Sequence, residues 1–70
     1  MNLVAGQRWS YKRDGDGFIC EITKVVSSET AAIKLVQIIS GSYFKVGETY
    51  SHEDFTRPVY SLLEGQDAPK

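Results

Sequence analysis

The chain has 70 residues, 41% hydrophobic and 24% charged, with eight Lys and Arg against nine Asp and Glu for a formal net charge of −1. One domain is all this length holds, which excludes a dinucleotide fold or a substrate barrel, and the composition excludes a disordered chain or a membrane-spanning helix of ~20 apolar residues. The near balance of charge removes the simplest argument for nucleic-acid binding, a large basic excess.

Gln7 to Arg13 alternates strictly, with Trp9, Tyr11 and Arg13 on one face and Arg8, Ser10 and Lys12 on the other, which predicts a half-buried strand. Asp14-Gly15-Asp16-Gly17 follows, and Asp-Gly is the favoured pair where a tight hairpin needs positive φ. Phe18 to Val26 resumes as a strand with both faces partly apolar, as in a strand that curves within a small barrel. Ser27-Ser28-Glu29 turns the chain. Thr30 to Ile39 is the most apolar run; its length suits a helix, yet Ile33, Val36, Ile38 and Ile39 are β-branched, which favours a strand.

Ser40-Gly41-Ser42 is the next turn, and Tyr43 to Val46 reads as a short strand or the start of a loop ending at Gly47. Ser51 to Phe55 reads as one helical or 3₁₀ turn, with Ser51 as N-cap and acidic residues in the first turn. Pro58 to Leu63 is the last strand, with proline at its tolerated first position. Residues 1–63 thus form one domain, and residues 64–70 (EGQDAPK) are expected as a polar tail.

Cys20 is the single cysteine, which excludes an internal disulfide, and the opening MNLVAGQRW lacks an apolar stretch of signal-peptide length. A reducing, cytoplasmic setting is the expectation. A domain this small without disulfide or metal relies on packing, with self-association as a further source of burial.

Several constellations invite chemistry, and each is weighed against a plainer reading. Asp14 and Asp16 suggest a calcium loop, but an EF-hand frame would put Phe18 and Val25 where oxygen ligands belong, so solvated hairpin aspartates are expected. His52 with Glu53 and Asp54 lacks a second histidine at ligand spacing, and no metal or cofactor is expected. A Cys20–His52 nucleophilic pair would need an orienting group and a basic environment, whereas Cys20 lies on the apolar side of its strand. The chain is therefore read as non-enzymatic.

Aromatic residues interleaved with cations carry the functional reading. Trp9, Phe18 and Tyr60 are needed for the core, while Tyr11, Arg13, Tyr43, Phe44 and Tyr50 are the expected contacts for a protein partner, because tyrosines give large contact area at low entropy cost. The alternative is a single-stranded nucleic-acid surface on Arg8, Trp9, Lys12 and Arg13. Along the chain the charges form a basic front (Arg8, Lys12, Arg13) and an acidic rear (Glu48, Glu53, Asp54, Glu64, Asp67), a pattern suited to steering or head-to-tail association.

Short strands separated by turns, with one helical turn before the last, outline an all-β, five-stranded SH3-like barrel. The opening Gly6-x-x-Trp9 and the closing Phe55-x-Arg57-x-Val59-Tyr60 are similar to those of small SH3-like or Tudor-like barrels, including single-domain proteins carried by bacteriophages. The resemblance spans residues 6–63 and implies an accessory or inhibitory factor acting by occlusion or bridging. The chain lacks the tyrosine-rich ALYDY-like stretch and the tryptophan pair of peptide-binding SH3 domains, which argues against proline-peptide recognition.

Overall fold

The computed structural model describes residues 2–63, and the expected tail at 64–70 lies outside them. Five strands, β1 (Arg8–Arg13), β2 (Asp16–Val25), β3 (Thr30–Ser40), β4 (Thr49–Asp54) and β5 (Tyr60–Leu62), form one antiparallel sheet in the order β4-β3-β2-β1-β5. The chain is all-β, and among the described residues no helix is long and apolar enough to cross a membrane.

Alternation builds the core. Trp9 and Tyr11 of β1, Phe18, Cys20 and Ile22 of β2, and Ala31, Ile33 and Leu35 of β3 turn to one face, where Phe55 and Tyr60 join them. Cross-strand pairing reinforces this face: Tyr11 lies opposite Phe18 in the ladder and their rings stack 4.5 Å apart. β2 and β3 are long and do not run straight, because register shifts interrupt their pairing at Gly17/Phe18, Ile19/Cys20 and Ile22/Lys24. Each bulge bends its strand and increases the local twist. Curvature is also required by the connections. Residues 55–59, which join the two outer strands, would span only ~20 Å fully extended, about the ~19 Å width of a flat sheet of this order. They are instead folded into turns, with Arg57 N–H donating to the Asp54 carbonyl and Tyr60 N–H to the Arg57 carbonyl. The sheet therefore curls, although β4 and β5 do not pair and it is not closed.

The expected helical turn at Ser51–Phe55 does not form. Ser51 to Asp54 belong to β4, where Asp54 pairs with Thr30 and Glu53 with Ala31, satisfying β3 backbone groups that a helical turn would leave unpartnered. Ser51 Oγ meets His52 Nδ1 at 3.0 Å instead of capping a turn. The turn comes three residues later: the Asp54 carboxylate accepts from the Thr56 amide at 2.9 Å and the Thr56 hydroxyl at 2.7 Å. Pro58 lies in that turn, so the last strand begins at Tyr60 and not at the proline. Tyr43 to Val46 is loop. In the first hairpin the positive φ of 52° falls on Asp14.

The Gly6-x-x-Trp9 segment has a structural role. Gly6, at φ 95°, donates its N–H to the Ile22 carbonyl. Between the two motif residues, Gln7 is buried, and its Oε1 accepts from the Trp9 indole N–H at 3.3 Å and the Val4 amide at 3.0 Å. Gln7 thereby satisfies the one polar atom of a buried tryptophan, which burial would otherwise penalise.

Candidate functional site

At one end of the curled sheet the core comes close to the surface. The Tyr11–Phe18 stack forms a floor, and Phe44 from the β3–β4 loop sits edge-on over it, 5.5 Å from the Tyr11 ring and 4.8 Å from that of Phe18. Phe44 is only half-buried. Its outer side meets Tyr43 at 4.8 Å and Tyr50 at 6.4 Å, and Tyr43 stands 77% exposed. Around these rings lies a hollow of about 230 Å³, walled further by Arg13, Glu53, Arg57 and Tyr60. A neighbouring hollow of about 250 Å³ shares Tyr11, Arg13, Tyr43 and Phe44 and extends toward Asp14 and Asp16.

Hydrogen bonds hold the walls. Glu48 Oε1 accepts from the Tyr50 hydroxyl at 3.1 Å and the Lys45 amide at 3.2 Å, which fastens the loop that carries Tyr43 and Phe44 to β4. Glu53 Oε1 accepts from the Tyr60 hydroxyl at 2.6 Å, linking β4 to β5 across the unpaired edges. Burial, and then Glu53, push the Tyr60 phenol well above its ordinary value of 10.0. Desolvation followed by the Glu48 bond also raises Tyr50. Gly41, at φ 82°, seats the same loop against the first hairpin, where a Cβ would collide with the Asp16 carboxylate and the Gly15 carbonyl oxygen.

All five expected partner contacts, Tyr11, Arg13, Tyr43, Phe44 and Tyr50, line this one hollow. They differ in accessibility. Tyr11, expected as a partner contact, is only 6% exposed and is a core residue whose ring closes the floor. Arg57, Glu53, Phe18 and Tyr60 complete the site and were not singled out as contacts from the sequence. Phe18 enters through its ladder pairing with Tyr11, whereas proximity across the curl brings in the others, since Glu53 and Tyr60 come from opposite edges of the sheet.

The alternative nucleic-acid set is dispersed. Trp9 is 7% exposed, with its ring against Phe55 at 4.8 Å, so it offers no stacking platform. Arg8 and Lys12 lie on the outer face of β1, and Arg8 pairs with Glu21 at 3.4 Å. The basic front and acidic rear of the sequence are likewise interleaved by folding, with Arg13 and Glu53 lining one hollow.

The residues weighed for chemistry are not assembled. Cys20 is fully buried, and desolvation pushes its thiol up to about 12, so it is held as the unreactive neutral form. His52 lies elsewhere, on an exposed hollow beside Lys24, Val25 and Val26. Among the described residues no group of three or more His, Cys, Asp or Glu side chains is placed to hold a metal ion. Comparison of the chain with family models, with curated proteins and with solved structures finds no match.

Proposed function

We propose that this chain is a non-enzymatic protein-binding module of SH3-like architecture, whose binding surface is the aromatic hollow over the Tyr11–Phe18 stack. The observation that carries the reading is the half-covered core at this end: Phe44 and Tyr50 are half-buried, and Tyr43 is exposed beside them in a concavity where the Tyr50 and Tyr60 hydroxyls are tied back to glutamates. A partner side chain entering there gains aromatic contact without ordering a loose surface, the usual basis of a binding hot spot. The barrel reading is supported by the curl of the sheet and by the Glu53–Tyr60 and Phe55–Tyr60 contacts that draw β4 and β5 together. The resemblance to phage-carried small barrels extends the reading to an accessory or inhibitory factor that occludes or bridges its partner.

The test is to capture binding proteins from the source cell on the immobilised chain. A recovered protein is then purified and titrated against the wild type and the Tyr43→Ala/Tyr50→Ala double variant. The expected result is at least ~10-fold weaker binding by a variant that still folds. Unchanged binding removes these aromatics from the proposal. A short single-stranded DNA titrated at two ionic strengths provides the contrast, because a nucleic-acid surface would lose affinity steeply with salt.

A further inference from the structure

The ionic groups around the hollow are not equally available. Glu53, the one carboxylate in its lining, accepts from the Tyr60 hydroxyl, and Glu48 behind Tyr50 accepts from the Tyr50 hydroxyl and the Lys45 amide. The guanidinium groups are not engaged in this way. Among the described residues no carboxylate lies within salt-bridge distance of Arg57, and Arg13 has only Asp14, at 4.0 Å, with both side chains mostly exposed. Arg57 is half-buried on the wall, and the turn holds its backbone at both ends, with N–H donating to the Asp54 carbonyl and its carbonyl accepting from Tyr60 N–H. An arginine guanidinium presents a planar fork of donors that matches a carboxylate.

From this asymmetry, which rests on the binding surface proposed above, we infer that the partner is a protein segment presenting an aromatic or large aliphatic side chain to the hollow and a flanking Asp or Glu carboxylate to Arg57. Arg13, also in the lining, adds a second, weaker attraction, since its charge is partly matched by Asp14 and screened by water. Basic segments are disfavoured because the lining of the hollow carries two guanidiniums, Arg13 and Arg57, against the single carboxylate of Glu53. Such a partner binds the aromatic floor through contact area and takes its orientation from the arginine.

The experiment uses the full chain and fluorescein-labelled peptides with one phenylalanine flanked on both sides by aspartates, lysines or serines, together with a short oligothymidylate strand. The aspartate peptide is expected to bind at least about tenfold tighter than the lysine and serine versions, and to weaken as salt is raised. Arg57→Gln is expected to lower its affinity about tenfold and Arg57→Lys less, with Arg13→Gln weaker still in effect. Circular dichroism checks that each variant is folded. Equal or tighter binding of the lysine or serine peptide, with loss on Tyr43→Ala, overturns the acidic partner and leaves the hollow as the binding surface. Binding of the aspartate peptide that neither Tyr43→Ala nor Arg57→Gln alters overturns both readings. Tighter binding of oligothymidylate than of the aspartate peptide overturns the inference in favour of nucleic acid. Absence of binding by every peptide, while a captured protein still depends on Tyr43, overturns the acidic segment alone.

Discussion

Trp9 and Tyr11 stand two residues apart on the same face of β1, and both are buried, yet the fold treats them differently. Trp9 is sealed: Phe55 covers its ring, Gln7 accepts from its indole N–H, and Leu62 lies opposite it on β5. Tyr11 stacks on Phe18 and meets Phe44 and Tyr60 edge-on, but its side of the core opens into a hollow. The strand alternation that buries both residues does not distinguish them. The difference comes from what folds over each, a neighbouring polar side chain and a turn residue in one case and a half-buried loop phenylalanine in the other. A small domain can thus keep one end of its core closed for stability and leave the other end available for contact.

Truncation is the most forceful way to break this comparison. Trp9→Ala at the sealed end is expected to cost ~3–5 kcal/mol, comparable with the whole stability of a domain this small, whereas Phe44→Ala at the open end is expected to cost ~1–3 kcal/mol. Urea unfolding followed by circular dichroism measures both, and equal losses would erase the distinction.

Alkaline pH should act next most strongly, through Cys20 and Tyr60. Both folded-state values lie above those of the unfolded chain, ordinarily 9.0 and 10.0, so the unfolded state releases these protons first. The stabilisation is complete below pH 9 and is lost above it, by up to ~1.4 kcal/mol per pH unit for each group. The Cys20 contribution ends near its folded value of about 12. Unfolding midpoints measured upward from pH 8 should fall, and Cys20→Ala should remove the earliest part of the decline.

Two smaller changes sharpen the contrast. Gln7→Leu leaves the Trp9 indole N–H and the Val4 amide without their acceptor and should cost ~1–3 kcal/mol, read as a lower urea midpoint. Tyr43→Ala should change stability by no more than ~0.5 kcal/mol, because the side chain is largely in solvent, and its effect should appear in partner binding alone.

Much of the strand pattern was legible in the residues. Period-two alternation located β1 and the inward set Trp9, Phe18 and Cys20, and β-branched residues correctly favoured strand for the run from Thr30. Ser51 to Asp54 was not legible, because a serine followed by acidic residues suits a helix start as a local sequence, and only the need of β3 for a partner makes it a strand. The hollow was half legible. Its aromatic members could be named as contacts, but Tyr11 could not be told from Tyr43 by type, and Arg57 and Glu53 enter only through the curl.

By itself the sequence determined the all-β class, the first three turns and the inward face of β1 and β2, since these depend on local periodicity, backbone preference and the scarcity of large apolar side chains in 70 residues. The tertiary structure alone decided which end of that core is sealed, which carboxylates are bonded to tyrosines and which arginine is left facing the hollow. Those depend on the bulges and on the short link between β4 and β5, which curl the sheet and bring the side chains of Glu53 and Tyr60, on its two unpaired edges, within hydrogen-bonding distance.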